Sequence, residues 1–75
     1  MTRVLVVDDA QVMRRAVEKM LQSDYDIVLA NDGEAGWETL VRDEQIEMLI
    51  TDIQMPLLDG YGLICRVRAD GSPRI

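Results

Sequence analysis

With 75 residues, 48% of them apolar, the chain has material for one small domain and none for a second module. Its net charge of -6, from fourteen acids against eight bases, disfavours nucleic acid and anionic membranes as partners and suits cations or a basic protein surface. Having no histidine, it can build neither a Cys/His zinc site nor a Ser/His/Asp triad by itself. The single Cys65 cannot close an internal disulfide, "MTRVLVV" lacks signal-peptide anatomy, and no apolar run nears the ~20 residues of a membrane span. A reducing, cytoplasmic setting is therefore expected.

The elements alternate along the chain. "RVLVV" (3–7) is a continuous Val-rich run, as in a strand covered on both faces. "AQVMRRAVEKMLQ" (10–22) reads as a helix with Met13, Ala16, Val17, Met20 and Leu21 on one side and Arg14, Arg15, Glu18 and Lys19 on the other. "DIVLA" (26–30) is a second strand, followed by an "NDG" turn with a capping Asn or Asp. "EAGWETLVR" (34–42) is a helix presenting Gly36, Trp37, Leu40 and Val41 on one face. "EMLIT" (47–51) is the third strand, and "YGLICRVRA" (61–69) a third helix with Leu63, Ile64 and Val67 inward. The closing "DGSPRI" reads as a turn.

Three strand-helix pairs imply parallel neighbours joined by helical, right-handed crossovers. If the first strand lies between the other two, helix one falls on one face of the sheet and helices two and three on the other. In such open sheets ligands sit beyond the carboxyl ends of the strands, where the strand order reverses. The first strand ends in Asp8 and Asp9 and the third in Asp52, so the order 2-1-3 brings three carboxylates to one crevice. At ~5 Å and an effective dielectric near 20, each charged pair repels by roughly 3 kcal/mol. A divalent cation relieves that repulsion, and an all-oxygen donor set with open positions suits Mg²⁺.

Each acid also has a plainer reading. Asp8 and Asp9 suit the cap of the first helix, Asp52 a strand-ending turn, and Asp59 the start of the third helix. Met13, Met20 and Met48 read as core residues. "GYG" without a correctly placed third glycine is no dinucleotide fingerprint. What raises the acids above these readings is their joint placement at two adjacent strand ends.

"VLVVDDAQVMRRAV", "ANDGEAGW" and "LITDIQMPLLDGYGL", in this order and spacing, resemble the receiver domain of bacterial two-component response regulators. The resemblance runs through essentially the whole chain and implies a flavodoxin-like doubly wound α/β fold, from which the order 2-1-3 is taken. It further implies that Asp52 is the phosphoacceptor for a sensor histidine kinase or phosphotransfer protein. Asp9 and Asp52 would ligate Mg²⁺ directly, Asp8 mainly through water, and the backbone carbonyl of Gln54 would complete the protein ligands. No turnover of an external substrate is expected beyond the domain's own phosphorylation.

The sequence departs from the family pattern in length. Receivers run to about five βα units, with a Ser or Thr ending the fourth strand and a Lys ending the fifth; residues 1–75 read as a single incomplete receiver of three. Its one lysine is Lys19, on the first helix, so phosphotransfer and switching are expected to be impaired. The third strand becomes an edge whose "MLI" faces water, from which a homodimer through that strand is expected. Two other readings stand beside this one. In a non-signalling dimerisation or interaction module the acids are vestigial. An aspartate-nucleophile phosphatase would want an acid two positions after Asp52, where Gln54 stands.

Overall fold

The computed structural model describes residues 1–52 and 59–69. Its elements run β1 (Arg3–Val7), α1 (Gln11–Leu21), β2 (Asp26–Ala30), α2 (Gly33–Arg42), β3 (Ile46–Thr51) and α3 (Gly60–Ala69). The bounds expected from periodicity hold to within a residue at every end. Among the described residues the sheet is parallel throughout and ordered β2-β1-β3.

Central β1 is apolar on both faces because both are covered: Val4, Leu5, Val6 and Val7 are at most 1% exposed. On the face of Leu5 and Val7, α2 and α3 close a core with Ala30, Leu40, Ile46, Leu63 and Val67. Gly36 allows α2 to approach, since a Cβ there would stand 2.8 Å from Val7 Cγ2. Asp32 caps α2 by accepting from the Ala35 N–H at 2.8 Å, and Asp59 accepts from Gly62 N–H at 2.8 Å as α3 begins. Both capping roles match the sequence reading.

Ile46 reaches this core through an irregularity. The β1–β3 register shifts between Arg3↔Ile46 and Val4↔Met48, leaving Glu47 as an extra residue. Uninterrupted alternation would send Ile46 to the face of Met48 and Ile50. The bulge turns it over, and Ile46 is fully buried beside Leu5.

Several expected core positions lie at the surface instead. Met13, Met20 and Met48 are all exposed, Met20 to 75%, and no residue of α1 is fully buried. The cause is that α1 lies over β1 and β2, so that only the middle of its apolar stripe, Val17 and Leu21, is partly covered. Ala16 is exposed with the flanking methionines. Val41 (61% exposed) and Ile64 (41%) also point outward. Each follows a buried residue, Leu40 and Leu63, by one position, and so sits about 100° around its helix from the packed face. Met48 and Ile50 of β3 are exposed on the α1 side of the sheet, as an edge strand implies.

Candidate metal centre

At the end of β1 the backbone continues one ladder step on each side. Asp8 N–H donates to Ala30 O at 3.2 Å, and Asp52 N–H donates to Val7 O at 2.9 Å. Asp52 is thus held by the sheet itself, adjacent to the turn that carries Asp8 and Asp9. One carboxylate oxygen from each of Asp8, Asp9 and Asp52 lies within 4.8 Å of the others.

The turn between β1 and α1 is fastened twice. Asp8 Oδ1 accepts from Ala10 N–H at 3.0 Å, and Arg14 Nη1 donates to the Asp8 carbonyl oxygen at 2.7 Å. Asp8 therefore shapes the turn rather than capping α1, whose N-cap is Ala10 with no side-chain bond. Asp9 is exposed and its carboxylate accepts no hydrogen bond from a described residue. Thr51 Oγ1 donates to the Asp52 carbonyl at 2.9 Å. Gln54, the expected carbonyl ligand, lies outside the described residues.

Asp9 and Asp52 are exposed and Asp8 is half-buried. Solvent accordingly screens their repulsion to about 1 kcal/mol or less per pair, below the figure for a low-dielectric crevice. The donor set still fits a hard divalent cation. Octahedral Mg²⁺ with ligands at about 2.1 Å separates neighbouring oxygens by about 3 Å and opposite ones by about 4.2 Å. Carboxylates spread over 4.8 Å need only small side-chain rotations, or one bridging water, to meet that geometry.

Sequence periodicity missed the part played by Arg14, which it assigned to the solvent side of the helix. The signal was available in its position one turn above Ala10, where a long side chain reaches back over the preceding turn. Also missed was the clamp at the opposite end of the sheet. There Arg3 Nε donates to Asp43 Oδ2 at 2.7 Å and Arg3 Nη1 to Asp26 Oδ2 at 2.5 Å. These bonds, Asp43 first and Asp26 second, raise the Arg3 pKa above its ordinary value.

A parallel sheet wound in the order 2-1-3, with helices on both faces and acids at its carboxyl rim, defines a flavodoxin-like α/β domain. Residues 4–75 match the response regulator receiver domain family, and the chain belongs to it. A chemotaxis protein CheY homolog from Campylobacter jejuni is 37% identical over 70 residues, covering 91% of this chain and 54% of that protein. Among solved structures, a response regulator receiver protein from Pseudomonas putida superposes with a TM-score of 0.86 at 38% identity, covering 97% of this chain and 60% of that one. The Thermotoga maritima response regulator TrrA, in complex with Mg²⁺ and BeF, gives 0.89 at 31% identity, with 93% and 61% covered. The chain thus spans little more than half the length of these relatives.

Proposed function

We propose that this chain is a phosphoacceptor domain of two-component signalling in which Asp52 receives the phosphoryl group. The reading rests on one observation above all: a carboxylate at the end of β3 shares a 4.8 Å cluster with the two acids that follow β1. Membership of the receiver family and the likeness to a regulator carrying Mg²⁺ and BeF support it.

In the proposed transfer a carboxylate oxygen of Asp52 attacks the phosphorus of a phosphohistidine on a sensor kinase or phosphotransfer protein. The O–P bond forms as the P–N bond breaks, and the electron pair leaves with the imidazole nitrogen, which takes up a proton. The chain contains no histidine, so the donor belongs to another molecule. Carboxylates are weak nucleophiles, and the contribution of the fold is alignment: Val7 holds the Asp52 backbone while Ala10 and Arg14 fix the turn of Asp8 and Asp9. Asp9 and Asp52 would hold Mg²⁺ directly, Asp8 through water, with the Gln54 carbonyl as a further ligand. Bound there, the cation neutralises the phosphoryl oxygens. Lys19, the only lysine among these 75 residues, is exposed on α1, and a receiver acting without a further ammonium at the site would transfer slowly.

The test is incubation with acetyl phosphate and Mg²⁺, read by intact mass. One phosphoryl adduct, mapped to Asp52 and missing in Asp52→Asn, supports the proposal; an adduct elsewhere, or none after prolonged incubation, refutes it.

The exposure of Met48 and Ile50 on an edge strand favours a second role for this surface. The 75-residue chain is proposed to pair with a second copy through β3, covering both side chains. Light scattering at micromolar concentration should give the mass of a dimer, and Met48→Lys should give a monomer. A dimer that persists in Asp52→Asn without metal, together with no phosphoryl uptake by the wild type, favours an interaction module with a vestigial acidic pocket. Among the described residues no helix is long and apolar enough to cross a membrane, and a cytoplasmic location is proposed.

A further inference from the structure

Beside the β2 edge of the sheet lies an open concavity of about 350 Å³, lined by none of the three clustered acids although Arg14 and Ala30 in its wall bond to the Asp8 backbone. Leu29 and Asn31 border it from β2 and the residue after it. Arg14 and Arg15 come from the amino-terminal half of α1, and Glu38 and Arg42 from α2 on the opposite face of the sheet. Three of the eight basic residues of a chain carrying -6 therefore line one hollow. Only one acid lines it with them.

The prior engagement of these guanidinium groups is light. Arg42 makes no hydrogen bond or ion pair with a described residue. Arg15 meets Glu18 at 3.2 Å across an exposed helix surface, a pairing that water and salt weaken easily. Arg14 uses Nη1 on the Asp8 carbonyl and retains further N–H donors. Guanidinium forks match oxyanions with two parallel hydrogen bonds. The volume lies at the lower end of the range that holds small organic ligands.

We infer that this hollow is a binding site for a small polyanionic phosphate compound, gripped by Arg15 and Arg42 from the two sides of the β2 edge with Arg14 at its inner end. Its chemistry is the reverse of the acidic cluster's, and it stands whether or not Asp52 is phosphorylated.

Inorganic pyrophosphate, titrated without divalent metal into the uniformly ¹⁵N-labelled 75-residue chain at low salt, is the probe. Saturable shifts are expected at the amides of residues 14, 15, 31 and 42, with orthophosphate binding more weakly. Arg15→Gln and Arg42→Gln should each weaken binding about tenfold or more. Arg66→Gln, on α3 and paired with Glu34 of α2 outside the hollow, should change it less than about twofold. Arg14 is left intact because it also holds the Asp8 turn, and amide spectra check that each variant is folded. Shifts that merely track ionic strength in a chloride control, or losses as large in Arg66→Gln as in Arg42→Gln, would overturn the inference.

Discussion

The two ends of the sheet gather carboxylates and resolve the crowding in opposite ways. At the amino end, Asp26 and Asp43 close on the guanidinium of Arg3, a cation supplied by the chain. At the carboxyl end, Asp8, Asp9 and Asp52 draw together, and no described cation forms an ion pair with the carboxylates of Asp8 or Asp9. Arg14 approaches but binds the Asp8 carbonyl, fixing the backbone of the turn rather than pairing with the Asp8 or Asp9 carboxylate. The amino end is complete in itself and serves stability. At the carboxyl end the proposed Mg²⁺ would supply the cation, at the strand termini where open α/β sheets bind ligands.

That contrast can be broken or sharpened by experiment. The largest expected effect comes from the cation itself: Mg²⁺ at a hundred times its dissociation constant should stabilise the fold by about 2.7 kcal/mol. Asp9→Asn should lose most of that gain while being no less stable than the wild type in metal-free buffer, because it removes a like charge. Thermal melts with and without Mg²⁺ measure both. Gly36→Ala comes next. Its methyl would press on Val7, the residue before Asp8, and overpacking should exceed the gain in helix propensity by about 1 kcal/mol. Weaker Mg²⁺ binding should accompany the loss, whereas the amide shifts of Arg3 and Asp26 should stay in place.

Arg3→Ala should have a smaller effect, a modest fall in the thermal midpoint, since the clamp is partly exposed and salt-screened. Added salt should narrow the difference from wild type, and Mg²⁺ binding at the far end should be unaltered. Smallest is the pH dependence of that difference. A basic group whose pKa is raised on folding contributes fully below its unfolded value and loses the contribution only as pH climbs through the higher folded one. For Arg3 both values lie far into the alkaline range, so its contribution should be flat between about pH 6 and 9. A steep change there would mean that the Arg3 clamp is misassigned.

Most of the fold was legible because the chain reports it by period. β1 is apolar at successive positions and is buried on both faces; Asp32 and Asp59 stand where helix starts need acceptors. The burial of α1 was not legible from its own pattern. Met13 and Met20 lie on an apolar stripe, but periodicity records which side of a helix is apolar, not how wide its partner is. Ile46 shows the same limit in a strand, since alternation cannot anticipate the bulge at Glu47. In the acidic cluster, strand-end placement and family resemblance named Asp8, Asp9 and Asp52. Arg14 beside the cluster and Arg3 at the opposite end of the sheet escaped notice because a long side chain at a helix start or strand start contacts residues that no local period specifies.

Paramagnetic Mn²⁺, which takes the same oxygen ligands as Mg²⁺, separates the two ends in one spectrum. Substoichiometric Mn²⁺ should broaden the amides of Asp8, Asp9 and Asp52 first, leave those of Arg3, Asp26 and Asp43 sharp, and be displaced by excess Mg²⁺. Equal broadening at both ends, or broadening centred on Asp26 and Asp43, would contradict the account.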